Sequence, residues 1–221
     1  MYKSCIFDLD GTLTDTLESL TYSVNLTMKE MGLPGITKEQ CRMFVGNGSK
    51  VLLEHSLRAG SEQAITRLEE AMEIYARVFD QNCMYQVMPY PGIEQVLHTL
   101  QANQILIGVA SNKYQAATSK LIAQYFPDIQ FVEVLGQREG VPAKPDPQAV
   151  LEIMEKADVS REDVAYIGDS CVDMETGKNA GVTTIGASWG FRPRTELEAY
   201  NPDFIADEAC DILRFLGIPE E

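Results

Sequence analysis

Apolar residues follow two kinds of spacing along this chain. The first is a short unbroken run that stops at a polar or small residue. It recurs as SCIFDLD from Ser4, QILIGVASN from Gln104, FVEVLG from Phe131, DVAYIGDS from Asp163, GVTTIGAS from Gly181 and PDFIAD from Pro202. Such runs predict strands buried on both faces. The second spacing is helical and falls between the runs, in IEQVLHTLQAN, QAATSKLIAQYF, PQAVLEIMEKA and VDMETGKNAG. Strand alternating with helix predicts an α/β fold: a Rossmann-like parallel sheet with helices on both faces. Ligands of such sheets bind outside the carboxyl ends of the strands, where Asp8, Asn112 and Asp169 stand.

One stretch breaks the alternation. TLESLTYSVNLTMKEMG, SKVLLEHSLRAG and SEQAITRLEEAMEIYARVFDQNC are helical, and no convincing strand separates them. An all-helical insertion after the first strand is expected over residues 16–86. Residues 1–15 and 87–221 then form the core.

Composition narrows the class. Apolar residues make up 45% of the 221, enough for a full hydrophobic core. No run approaches the roughly 20 apolar residues of a membrane span, and no basic-then-apolar leader opens the chain. The expectation is a cytoplasmic protein with no membrane partner. Lys and Arg number 18 against 33 Asp and Glu, a net charge of −15. Such a surface repels nucleic acid, so any anionic ligand needs a local pocket of cations, metal or helix N-termini. Five widely spaced cysteines and two histidines in helical stretches suggest neither a disulfide framework nor a zinc site nor a His-based triad.

The chemistry starts in DLDGTLTD, residues 8 to 15. Two carboxylates about 4 Å apart repel by roughly 4 kcal/mol at an effective dielectric near 20. A helix N-terminus offsets only about 0.3–1 kcal/mol of that. Asp8 and Asp10 share one side of the chain while Leu9 points away, so they call for a cation, a shared proton or solvent. A calcium loop fails on spacing: with Asp8 first, the glycine position holds Leu13 and the twelfth position holds Ser19. DVAYIGDSCVD adds Asp169 at a strand end and Asp173 one helical turn on. An oxygen-only set of this kind suits magnesium. Ser111 and Asn112 close the QILIGVA strand, where a hydroxyl and free N–H groups make a phosphate site. Lys144 sits in a loop stiffened by Pro142, Pro145 and Pro147. Singly, each motif reads as a helix cap or a solvated lysine.

Together, DLDGT, SN, a lysine before PDP, and GDS with a later Asp resemble the four ordered motifs of the haloacid dehalogenase-like hydrolase superfamily. FVGNGSKVLLEHSL and ASWGF are similar to segments of its phosphoglycolate phosphatase and beta-phosphoglucomutase-like group. The resemblance covers nearly the whole chain, the helical insertion corresponding to the family's cap. It implies a magnesium-dependent phosphatase acting on a small phosphorylated metabolite, such as a phosphoglycolate-like monoester. Asp8 would be the nucleophile and Asp10 the general acid and base. Ser111 and Asn112 would bind the phosphoryl oxygens, and Lys144 would neutralise charge. Magnesium would be held by Asp8, Asp10, Asp169 and Asp173. The presence of Asp10 favours phosphate chemistry over dehalogenation. In the cap, VGNGSK offers Gly46, Asn47 and Lys50 to the substrate, with Ser49 as a helix cap. Tyr75 and Phe79 are expected in the packing of the cap, Arg192 and Arg194 as a solvated pair. A sugar phosphomutase and a non-catalytic phosphometabolite-binding protein are the alternatives, and the oligomeric expectation is a monomer or homodimer.

Overall fold

Residues 2–219 are described by the computed structural model. Strand β1 (Ser4–Phe7) is four buried residues, and the chain turns sharply at Asp10–Leu13 into β2 (Thr14–Asp15). Four helices follow: α1 (Leu17–Glu30), α2 (Lys38–Phe44), α3 (Gly48–Gly60) and α4 (Leu68–Asn82). The chain returns through β3 (Met88–Pro89) and α5 (Ile93–Ala102). It then alternates through β4 (Leu106–Tyr114), α6 (Gln115–Tyr125), β5 (Phe131–Gln137), α7 (Gln148–Ala157), β6 (Val164–Gly168) and α8 (Cys171–Ala180). The last elements are β7 (Thr183–Ala187), α9 (Arg194–Ala199), β8 (Phe204–Ala206) and α10 (Cys210–Leu216).

The six longer strands form one parallel sheet in the order β5-β4-β1-β6-β7-β8. This is the Rossmann-like α/β arrangement that the apolar runs predict. Side-chain alternation divides its core. Cys5 and Phe7 of β1, with Ala165 and Ile167 of β6, face Val96 and Leu97 of α5 and Ile212 and Leu213 of α10. Ile6, Val164 and Tyr166 face the other way, onto Val150 and Ile153 of α7. Register levels the carboxyl ends: Phe7 pairs with Val109 on one side and Ile167 on the other. Asp8, Ser111 and Asp169 therefore emerge side by side.

Helices α1 to α4 share a separate apolar cluster, including Leu20, Val24, Leu52, Leu53, Tyr75 and Phe79, which Phe191 of the sheet region joins. The two connections between the helices and the sheet pair as a ribbon, Thr14 with Pro89 and Asp15 with Met88. Helix α2 is absent from the apolar pattern because only Cys41 of its seven residues is buried. Its signal is a capping box, Thr37 with Gln40. The stretch from Ser61 enters α4 through a 3₁₀ turn at Glu62–Arg67. Among the described residues no helix is long and apolar enough to cross a membrane.

Candidate active site

Asp8 follows β1 and is buried. Its Oδ1 lies 2.9 Å from Nζ of Lys144, which is 2.8 Å from Oδ1 of Asp173. The Tyr166 hydroxyl donates to the same Asp173 oxygen, and Lys144 Nζ approaches that hydroxyl at 3.1 Å. Asp173 occupies the third position of α8, and its Oδ2 accepts from Ser170 N–H at 3.1 Å and Ser170 Oγ at 2.6 Å. One buried ammonium thus serves two carboxylates. Burial pushes the Asp8 carboxyl up to about 7, with Asp173 adding to the shift and Lys144 opposing it. Burial alone would depress Lys144, but the attraction of Asp173 and Asp8 outweighs it and holds the lysine well above its usual range.

Asp169 follows β6, the strand next to β1, and is buried. Its Oδ1 accepts from Thr12 Oγ1 at 3.3 Å and its Oδ2 from Phe191 N–H at 2.7 Å. Burial, then Asp173 and Asp8, raise its carboxyl well above the ordinary range. Gly11 packs against it at φ 87°, where any Cβ would collide with the carboxylate. Oxygens of Asp8, Asp169 and Asp173 all lie within 4.8 Å of one another. Three buried carboxylates this close together, with Asp8 and Asp169 both raised in proton affinity, are a poor arrangement on their own. They fit a hard divalent cation, which would favour all three ionised forms at once.

Asp10 is directed elsewhere. Its Oδ1 accepts from Thr16 Oγ1 at 2.7 Å, and both its oxygens accept from Lys113 Nζ, at 2.9 and 3.1 Å. The Lys113 side chain is only 2% exposed, and its ammonium lies 4.7 Å from the centre of the Phe79 ring on α4. Sequence reasoning missed this lysine because ASNK reads as a strand end entering a helix. The strand in fact runs on to Tyr114, so the period of two that carries Ser111 was the available signal. Tyr166 was also missed, being indistinguishable from core within DVAYIGDS.

Ser111 borders the same cavity, its hydroxyl accepting from Lys113 N–H. Asn112 works as a strut. Its amide accepts from Lys144 N–H at 2.8 Å and donates to the carbonyls of Lys144 and Gly46. The cavity encloses about 50 Å³ between the sheet end and the helices, room for a handful of waters at roughly 10–15 Å³ each. Leu20, Val45, Leu52, Tyr75, Phe79 and Phe191 make its wall largely apolar.

The VGNGSK loop contributes Gly46, Gly48 and Ser49 to this wall, with φ of 119° at Gly46 and 83° at Gly48. Asn47 and Lys50 are exposed and do not line it. Helix α3 starts at Gly48 with Asn47 in the cap position, so Ser49 is inside the first turn and does not cap. Arg192 is not a solvated surface residue. Its guanidinium donates to the carbonyls of Arg42, Met43 and Val45 at the end of α2, tying the helices to the sheet region. The Trp189 indole donates to the Thr12 carbonyl at 3.1 Å and thereby supports the turn after Asp8.

Comparison with known proteins agrees with this geometry. The model of the family described as haloacid dehalogenase-like hydrolase matches residues 5–187. A phosphoglycolate phosphatase of Vibrio parahaemolyticus is 29% identical over 220 residues, covering 98% of this chain and 96% of the relative. One from Vibrio vulnificus is 30% identical over 215 residues, covering 96% and 94%. The crystal structure of a predicted phosphoglycolate phosphatase from Haemophilus somnus superposes with a TM-score of 0.90 at 25% identity, over 97% of this chain and 98% of that one.

Proposed function

Because the chain belongs to the haloacid dehalogenase-like hydrolase family, we propose that it is a magnesium-dependent phosphatase of a small, phosphoglycolate-like monoester, working through an aspartyl-phosphate on Asp8. The observation that carries this reading is the buried Asp8 carboxylate, which lines the cavity 2.9 Å from Lys144 and is grouped with Asp169 and Asp173.

In the first step an Asp8 oxygen bonds to phosphorus, and the bond from phosphorus to the ester oxygen breaks. Asp10 gives its proton to the departing alkoxide, exchanging its contacts with Lys113 and Thr16 for the ester oxygen. In the second step Asp10 takes a proton from water as the water oxygen attacks phosphorus, and Asp8 leaves as a carboxylate. Ser111 and the backbone N–H groups beside it hold the phosphoryl oxygens, while Lys144 balances charge on Asp8. The oxygens of Asp8, Asp169 and Asp173, with the Asp10 carbonyl, would hold magnesium. The ion supplies charge neutralisation and orientation to the phosphoryl group. Monoester hydrolysis is slow enough unaided that the acceleration approaches about 10²¹-fold, so oriented charge has a large term to supply.

Residues 16–86 act as the cap and the rest of the chain as the catalytic core. Asn112 and Arg192 bind cap carbonyls from the core side, a closed arrangement that excludes water. Five free cysteines, three of them buried, fit a reducing, cytoplasmic setting.

A panel of phosphoglycolate, hexose phosphates, nucleoside monophosphates and pyrophosphate tests the assignment. Phosphate release is expected with magnesium and is expected to vanish in EDTA, and the short carboxylate-bearing ester should have the highest kcat/KM. Release unaffected by EDTA, or none from any ester, overturns the reading.

A further inference from the structure

Tyr75 lies on α4 in the wall of the cavity and is 1% exposed. Its ring stacks on Phe79, centroids 5.2 Å apart. No residue among those described hydrogen-bonds its hydroxyl. The ring is buried but the hydroxyl is not one of the fully enclosed unpaired atoms, so it opens onto the cavity and is available to pair with whatever fills it. The ring contacts also place charge beside it: Lys113 lies over the same Phe79 that Tyr75 stacks on. Across the cavity, α3 begins at Gly48 with no acidic residue in its first turn and no side-chain cap on its N–H groups. A free hydroxyl, an ammonium paired with Asp10 and an uncapped helix N-terminus therefore border one small cavity, whose lining also carries Asp8, Asp10 and Asp169. That combination suits an anionic acceptor.

We propose that Tyr75 is a specificity-determining residue, its hydroxyl donating to a carboxylate that the substrate carries on a short carbon chain beyond the phosphate ester. The inference rests on the phosphatase reading above and deepens it. The carboxylate lies against the Tyr75–Phe79 wall, where the first turn of α3 attracts it, joined by Lys113 once Asp10 exchanges that lysine for the ester oxygen, while the phosphoryl group sits at Asp8. Arg192 also borders the cavity, but the carbonyls of Arg42, Met43 and Val45 already occupy its guanidinium.

Tyr75→Phe removes the hydroxyl and keeps the ring stack. Since the hydroxyl has no protein partner, the unliganded variant should have a Tm equal to or above that of the parent. The test compares kcat/KM for phosphoglycolate with that for ethyl phosphate, which lacks the carboxylate, in both proteins with magnesium. The parent should prefer phosphoglycolate. The variant should lose that preference by about 10- to 100-fold, with ethyl phosphate changed by no more than about twofold. A preference that survives in Tyr75→Phe overturns the role of Tyr75 and leaves the substrate reading standing. An equal loss on both esters marks the hydroxyl as structural and also overturns it. If the parent itself hydrolyses ethyl phosphate as well as phosphoglycolate, both the carboxylate reading and the Tyr75 role fall.

Discussion

Asp8→Asn is expected to lower phosphate release from p-nitrophenyl phosphate by at least about 10⁴-fold, because the other carboxylates described at the cavity, Asp10 among them with Lys113 and Thr16, are held by other partners. Asp173 is committed to Lys144, Tyr166 and Ser170, and Asp169 to Thr12 and Phe191. The substitution keeps shape and burial. It removes one carboxylate from a crowded set and leaves Lys144 paired with Asp173 at 2.8 Å. The Tm should therefore hold or rise while activity disappears, the opposite of what a folding defect would give. Steady-state kinetics beside a thermal melt read both. Full turnover in Asp8→Asn would remove the nucleophile from the account.

Lys144→Met should damage stability and activity together. The ammonium is the counter-charge to both Asp8 and Asp173, and its side chain is 4% exposed. Removing one partner of a buried ion pair costs about 3–5 kcal/mol, and in a chain of this size each kcal/mol is worth about 2–4 °C in Tm. A fall on the order of 10 °C is expected in magnesium-free buffer. Magnesium should recover part of it by supplying charge to the same carboxylates. Turnover should fall by at least about 10²–10³-fold and stay low with magnesium, since the ion does not replace the ammonium held 2.9 Å from the Asp8 carboxylate. Calorimetry and initial rates at saturating magnesium check the two halves. An unchanged Tm would show that Lys144 is not the buried counter-charge described above.

The six strands of the sheet were legible because buried parallel strands are unbroken apolar runs that end in turn residues. Their register follows, and with it the meeting of Asp8, Ser111 and Asp169 at one end. Lys144 and Asp173 could be named as charges near the site, but only packing shows that they pair with each other. What the sequence hid was contact between distant positions. Arg192 looked like surface because its partners, Arg42, Met43 and Val45, are about 150 residues away along the chain. Lys113 was hidden by a strand that continues two residues past its expected end at Asn112. Tyr166 looked like core because its ring is core, and only its hydroxyl reaches Lys144 and Asp173. Asn47 and Lys50 illustrate the converse. Their chemistry suits a substrate, but α3 begins one residue before Ser49, which leaves both exposed and outside the cavity lining while Gly48 and Ser49 face it. The short pieces β2, β3 and α2 bury too little apolar surface to leave a periodic trace.

The central claim is a double displacement through Asp8, and the stereochemical course at phosphorus tests it most directly. Each in-line displacement inverts phosphorus, so attack by Asp8 followed by attack by water returns the original configuration. Hydrolysis of a monoester made chiral at phosphorus with oxygen isotopes should therefore proceed with net retention. Net inversion would mean that water attacks the ester in a single step, and would contradict the aspartyl-phosphate on Asp8.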